Sequence, residues 1–321
     1  MNSTSALPRT ATAEGLDVLD ASMDAPVNGH DPAAEARAEW TEHDSIVAGL
    51  TWRVAQAGMG PVTLLLHGTG GSIHSWQALL PCLAPHVHLV AVDLPGHGRT
   101  GYPGFERLSL VDMAQQLRDF LRAEGLAPAI VVGHSAGAAI MLQLAADGAL
   151  PQETLLVGIN AALHAPHPAV QELMRGSLGA LFRSRPARAF VRGVGTSATL
   201  IEMLLSTTGS RLSKEQEAAY VQTFADPEHV EAAYAMMASW DLAPLVAALP
   251  RIAHATLYIT GDRDTWVPPA AARDACARMP HARVASIAGA GHLVHEERPQ
   301  EVAALILDAY RPPPSGAHSA S

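Results

Sequence analysis

Pro128-Ala129-Ile130-Val131-Val132-Gly133-His134-Ser135-Ala136-Gly137 carries the reading of the fold. A run of apolar, largely β-branched residues breaks at G-x-S-x-G. The apolar stretch from Ala138 to Ala146 follows at once. Strand, sharp turn and helix form the setting in which a serine is held at the tip of a sheet with its hydroxyl presented. The crowded backbone of such a turn tolerates only small neighbours, which accounts for the flanking glycines. The pattern alone is common, so its meaning depends on whether the rest of the chain supplies a base, an acid and backbone donors.

Strand and helix signals alternate on both sides of this stretch. Val62 to Leu66 is a short apolar run that stops at a glycine-rich turn, and His88 to Asp93 is another, ending in Leu94-Pro95-Gly96-His97-Gly98. Ile46 to Ala55 reads as two short strands around Gly49. Leu110, Met113, Leu117, Phe120 and Leu121 recur at helical spacing and close at Gly125. Thr154 to Ile159 and Ala255 to Thr260 repeat the buried-strand pattern, with a shorter version at Arg283 to Ile287. Apolar runs bounded by turns and separated by helices imply an α/β fold whose mostly parallel sheet is covered on both faces. Residues 161–246 break the rhythm. Helical signals there fall at Pro168 to Leu181, Ser197 to Leu205, Lys214 to Ala225 and Glu228 to Ser239, with no strand evident. The expected organisation is an α/β core over 41–160 and 247–311, an inserted helical lid over 161–246, and disordered tails at 1–40 and 312–321.

A serine hydroxyl needs a base to take its proton, and the base needs an acceptor that fixes its tautomer. Gly261-Asp262-Arg263-Asp264 follows the strand ending at Thr260, and His292 stands in a small-residue loop after the last strand. Asp264 is the preferred acid over Asp262 and over a plain helix-capping role. His292 is preferred as base over His295, one helical turn away. The order Ser135, Asp264, His292 is that of a nucleophile-elbow hydrolase. The loop His67-Gly68-Thr69-Gly70-Gly71 can turn a backbone N–H of Thr69 or Gly70 toward the serine, with Ala136 N–H as second donor. A phosphate cradle is the alternative for this loop, but the Walker lysine and the G-x-G-x-x-G spacing are missing. His67, His134, Trp240 and Asp241 are candidate substrate-binding residues. For Trp240-Asp241 the preferred reading is structural, with Asp241 capping the helix after it. The histidines lack metal-ligand spacing, so no metal and no cofactor is expected.

The 321 residues are 48% hydrophobic, enough for a full core. Nine acidic residues against two basic ones in residues 1–45 account for −7 of the net charge of −10. The body is thus near neutral, with no basic face for nucleic acid. The first residues lack a basic segment followed by an apolar one, and no apolar stretch approaches membrane-spanning length. Cys82 and Cys276 are isolated and read as reduced thiols on helices. A cytoplasmic location is expected.

Across about 46–311 these residues resemble the α/β-hydrolase superfamily, with Asp93-Leu94-Pro95-Gly96-His97-Gly98, Gly261 to Pro268 and Gly291-His292 completing the pattern. A narrower likeness lies in Gly133 to Ile140, Thr208-Gly209-Ser210-Arg211-Leu212, Met236 to Leu242 and Gly291 to Pro299. These resemble the accessory proteins of magnesium chelatase in bacteriochlorophyll biosynthesis. Ser239 stands where that pattern carries Asn. The resemblance implies a soluble protein acting beside magnesium insertion into protoporphyrin and supplies no known substrate; the residues themselves point to a serine hydrolase, with a small molecule, porphyrins included, as candidate substrate and the chelatase as candidate partner. A general carboxylesterase and a non-catalytic porphyrin- or chelatase-binding protein are the alternatives. Met174, Leu181, Phe182, Met203, Met236 and Met237 are apolar lid residues that could face a porphyrin or pack the lid.

Overall fold

The computed structural model describes residues 19–20, 39–163 and 183–310. Its strands are β1 (Leu19–Asp20), β2 (Thr41–Val47), β3 (Leu50–Ala57), β4 (Val62–Leu66), β5 (His88–Val92), β6 (Ile130–His134), β7 (Leu155–Ile159), β8 (Thr256–Gly261) and β9 (Ala282–Ile287). They form one sheet in the order β1-β9-β8-β7-β6-β4-β5-β3-β2. The pairings β2–β3 and β3–β5 are antiparallel and the rest are parallel. The sheet is thus eight-stranded, extended at one edge by the two residues of β1.

Alternation along each central strand divides the core into two layers, because successive side chains leave opposite faces. Leu64, Leu66, Val131, Leu156 and Tyr258 pack on one face with α2 (Leu110–Ala123) and α3 (Ala136–Ala146). Leu65, Ile130, Val132, Val157 and Ile259 pack on the other with α1 (Leu80–Leu83) and α11 (Pro299–Ala309). Both faces are covered, so these strands are apolar throughout. Helix α2 buries one stripe, and Ser109 Oγ caps it by accepting the Asp112 N–H at 3.2 Å. Helix α3 is apolar on nearly every side and runs inside the fold, as such a helix must.

Between β7 and β8 the described chain is helical: α4 (Arg185–Gly195), α5 (Ala198–Ser206), α6 (Lys214–Phe224), α7 (Pro227–Ser239) and α8 (Ala243–Ala248). Three of these lie close to their expected spans. Helix α4 was not expected, because its arginines and glycines hide any buried stripe, and none of its side chains is buried. The helix expected over Pro168 to Leu181 lies outside the described residues, as do Met174, Leu181 and Phe182. Met236 is buried in the core, whereas Met203 and Met237 are exposed. Helix α9 (Pro269–Cys276) follows β8, and the one-turn α10 (Val294–Glu297) precedes α11. Both cysteines are helical and neither forms a disulfide; Cys276 is buried and Cys82 half-buried. Among the described residues no single helix is long and apolar enough to cross a membrane.

Candidate active site

Ser135 caps the junction of β6 and α3 with φ +50 and ψ −114, a left-handed backbone held by a residue that is not glycine. Surrounding bonds enforce it. Ser135 N–H donates to Ile159 O at 2.9 Å, while Ser135 O accepts from Ala138 N–H and Ala162 N–H, each at 3.1 Å. The elbow glycines are there for space. A Cβ on Gly137 would lie 2.1 Å from Leu66 O, and one on Gly133 would lie 2.6 Å from Ala138 N. Ala136 is the first residue of α3, so its N–H has no acceptor within the helix and is free for a ligand.

His292 follows β9 and lines the same cavity as Ser135. Its Nδ1–H donates to Asp264 Oδ2 at 2.8 Å, which leaves Nε2 as the basic nitrogen. Asp264 sits just beyond β8, and its Oδ1 accepts the N–H groups of Trp266 and Val267 at 2.8 and 2.9 Å. Asp262 instead accepts the Gly289 N–H at 2.7 Å. Two groups missed in the sequence hold this pair. Asn160, left-handed at φ +45 after β7, donates through Nδ2 to Asp264 Oδ2 and to Gly291 O at 3.1 Å. Glu297 Oε2 accepts the Gly291 N–H at 2.8 Å. An Asn directly after a buried strand, where left-handed backbone is tolerated, was the only local sign of Asn160.

The loop after β4 lies against the serine. A Cβ on Gly68 would sit 2.8 Å from His134 Nδ1 and 3.0 Å from Ser135 Cβ, so glycine is what lets this backbone approach. Thr69 and Gly70 line the cavity beside Ser135. His67 is fully buried and does not line it. Its Nε2 accepts the Leu94 N–H at 2.9 Å, and its Nδ1–H donates to Gly68 O at 2.8 Å. His67 therefore fixes the loop. His134 does line the cavity, yet its Nε2–H is spent on His292 O at 3.0 Å. Trp240 and Asp241 stand apart from the cavity: Trp240 Nε1–H donates to Leu108 O at 2.8 Å, and Asp241 Oδ1 accepts Ala243 N–H at 3.1 Å ahead of α8. Both contacts are made to backbone groups outside the cavity.

Sequence gave no sign of His229 on α7. It is buried, its Nδ1 accepts Gly98 N–H at 3.0 Å, and its Nε2–H donates to Gly70 O at 3.2 Å. It ties the inserted helices to the Gly70 loop. Burial pushes His97 and His229 down to about 3 and His74 to about 4. Burial also drives His67, His134 and His295 well below the ordinary imidazole value. All are neutral at pH 7, and in His67 and His229 a ring nitrogen that accepts a backbone N–H requires it. Desolvation raises two buried carboxyls, Asp93 to about 6 and Glu296 to about 8; Glu296 accepts the Tyr220 O–H at 2.6 Å.

The cavity holds about 460 Å³. Ile201, Leu204 and Leu205 of α5, Phe224 of α6, Met237 of α7 and Trp266 wall it, and Ser135, His292, Thr69 and Thr208 supply polar groups. Among the described residues no Lys, Arg, Asp or Glu lines it. That is the make-up of a small-molecule site with an apolar body and one polar, reactive end.

Residues 63–305 match the alpha/beta hydrolase family. The chain is an alpha/beta hydrolase. This hydrolase is 40% identical to the magnesium-chelatase 30 kDa subunit of Rhodobacter capsulatus, over 82% of its own length and 92% of that protein's. It is 32% identical to the pimeloyl-[acyl-carrier protein] methyl ester esterase of Xanthomonas oryzae pv. oryzae, over 73% and 89% of the two chains. Among solved structures it superposes on the epoxide hydrolase CorEH with TM-score 0.68 and 22% identity, covering 84% and 98% of the chains. The serine hydrolase CarC of carbazole degradation superposes with TM-score 0.68 and 20% identity, over 84% and 98%. At those identities the superpositions speak to the fold.

Proposed function

We propose that this alpha/beta hydrolase is a serine hydrolase that cleaves an ester or related carbonyl bond in magnesium-chelatase-linked tetrapyrrole biosynthesis. The observation that carries the reading is Ser135 in strained backbone, opening onto one cavity with a His292 whose Nδ1 is held by Asp264 at 2.8 Å. In this reading Ser135 Oγ attacks the carbonyl carbon while His292 Nε2 takes its proton. The N–H groups of Ala136 and of Thr69 or Gly70 stabilise the oxyanion. His292 then protonates the leaving alcohol. A water, deprotonated by the same Nε2, releases the acid and restores Ser135. Asp264 orients the imidazole and stabilises its charged form. A serine nucleophile does not suit the alkyl-ester intermediates of dehalogenation or epoxide opening. An ester substrate is further supported by the methyl ester esterase relative.

The inserted helices act as the lid in this proposal, since α5, α6 and α7 supply most of the apolar wall. The pathway rests on the relationship to the 30 kDa chelatase subunit, and the setting proposed is the cytoplasm. The test is reaction with a fluorophosphonate probe and turnover of a short-chain p-nitrophenyl ester. Ser135→Ala should abolish labelling and lower turnover by a factor on the order of 10⁴ or more. A folded wild-type protein that neither labels nor turns over would sink the catalytic reading.

That same relationship favours a second reading, a binding role beside the chelatase. Magnesium-protoporphyrin formation with wild type against Ser135→Ala separates the two. Full activity of the variant would assign the pathway role to binding.

A further inference from the structure

Thr208-Gly209-Ser210, one of the motifs read in the sequence, takes no part in the chemistry above, yet it lies between the loops that carry Asp264 and His292. Thr208 O accepts the His292 N–H at 3.0 Å, and Ser210 Oγ accepts the Leu293 N–H at 2.8 Å. On the acid side, Thr207 Oγ1 accepts Trp266 Nε1–H at 3.0 Å and Thr207 O accepts the Thr265 hydroxyl. The Trp266 ring meets the His292 ring at a tilt of 38° with centroids 5.4 Å apart. Packing is as close as backbone allows. A Cβ on Gly209, which has φ +77, would lie 2.1 Å from Arg263 O, and a Cβ on Gly291 would lie 2.2 Å from Ser210 N. The turn is the direct continuation of α5, whose Ile201, Leu204 and Leu205 wall the cavity.

We propose that Thr207-Thr208-Gly209-Ser210 is a positioning clasp that aligns His292 with Asp264 and makes that alignment depend on how the cavity wall on α5 is filled. The proposal rests on His292 and Asp264 acting as base and acid. An apolar acyl group packed against Ile201, Leu204 and Leu205 presses on the helix that ends in the clasp. Two amides and one indole carry that contact to the imidazole. The substrates best served are therefore esters with an apolar acyl chain, and their advantage falls on kcat as well as on KM. Misplacing a catalytic group by about 1 Å costs on the order of a hundredfold, so a partly loosened clasp should cost roughly tenfold.

The test compares wild type, Ser210→Ala, Ser210→Thr and Thr207→Val. Hydrogen exchange at the His292 and Leu293 amides reads the clasp without turnover. Ser210→Ala is expected to speed Leu293 exchange about tenfold, and Ser210→Thr, which keeps the hydroxyl, to leave it near wild type. With p-nitrophenyl acetate and octanoate, wild type should show a higher kcat on the longer chain. Ser210→Ala should lower kcat on octanoate about tenfold with KM within about twofold, and erase the chain-length gain. Thr207→Val removes the indole's acceptor together with the hydroxyl's bond to Leu204 O, leaves both contacts to the His292 loop in place, and carries the kcat test if Ser210→Ala does not fold. Unchanged exchange in Ser210→Ala, or an unchanged kcat in a variant that exchanges faster, overturns the clasp. Faster exchange in a wild-type background inert to fluorophosphonate would instead fault the assignment of Ser135.

Discussion

Replacing Ser135 by glycine should make the protein more stable while destroying any chemistry at that position. Ser135 is held at φ +50, ψ −114, where Cβ crowds the backbone. Such a conformation stores on the order of 1–3 kcal/mol in a residue with a side chain. Glycine relieves that strain but carries extra freedom into the unfolded chain, a cost of about 0.5–1 kcal/mol. The net expectation is a gain of about 1 kcal/mol, or roughly 1–2 °C in Tm for a chain of this length. Ser135→Ala is the internal control, because it loses the same hydroxyl and keeps the Cβ. Urea unfolding and thermal melts of the two variants side by side give the answer. A Ser135→Gly protein no more stable than Ser135→Ala would mean that the turn is unstrained, and the argument from strain to a presented nucleophile would fail.

Stability should peak a little above pH 7. His97 and His229 at about 3 and His74 at about 4 stay neutral in the fold, whereas the unfolded chain protonates them near 6.5. Each contributes stability that is complete above about pH 6.5 and lost as pH falls toward the folded value, at about 1.4 kcal/mol per pH unit. His67, His134 and His295 act in the same direction. Glu296, raised to about 8, acts oppositely: its contribution is complete below about pH 4.5 and is lost as pH rises through 8. Asp93, raised to about 6, does the same between about 3.8 and 6. Six imidazoles outweigh two carboxyls on the acid side, and Glu296 alone slopes the alkaline side. A Tm that rises steadily from pH 7 to pH 5 would contradict this assignment of neutral histidines. Asn160→Ala should lower kcat by about 10- to 100-fold with KM little changed, because Asp264 and the Gly291 carbonyl both lose its amide; an equal loss in KM would point to substrate binding instead. His229→Ala should cost roughly 3–5 kcal/mol in chemical denaturation, since the buried Gly70 carbonyl and the Gly98 N–H lose their partners and a cavity opens. A loss under 1 kcal/mol would show that water replaces the imidazole.

The strands that build the centre of the sheet were legible because local apolarity alone dictates them. Val62–Leu66, Leu155–Ile159 and Thr256–Gly261 can only be buried on both faces, and each lies within a residue or two of its expected span. The elbow was legible for a related reason, since the space around Gly133 and Gly137 is set by neighbours a few residues away or on the adjoining strand. Helix α4 escaped notice because its apolar side, Ala187, Phe190, Val191 and Val194, is short and interrupted by arginines and glycines, and the fold buries none of it.

Sequence order and residue chemistry were enough to single out Asp264 and His292, which meet at 2.8 Å, and to place Ser135 at a turn that shares a cavity with His292. They were not enough to tell a ligand-facing histidine from a structural one. His67 and His134 stand at equivalent register positions where neighbouring strands end, yet the first is spent on Leu94 and Gly68 and only the second reaches the cavity. Nor could they find Asn160, 104 residues from Asp264, or His229, 159 residues from Gly70. A hydrogen bond depends on two groups coming within about 3 Å at a workable angle. Apolar pattern decides which segments are buried, but only the packed chain decides which polar groups meet there.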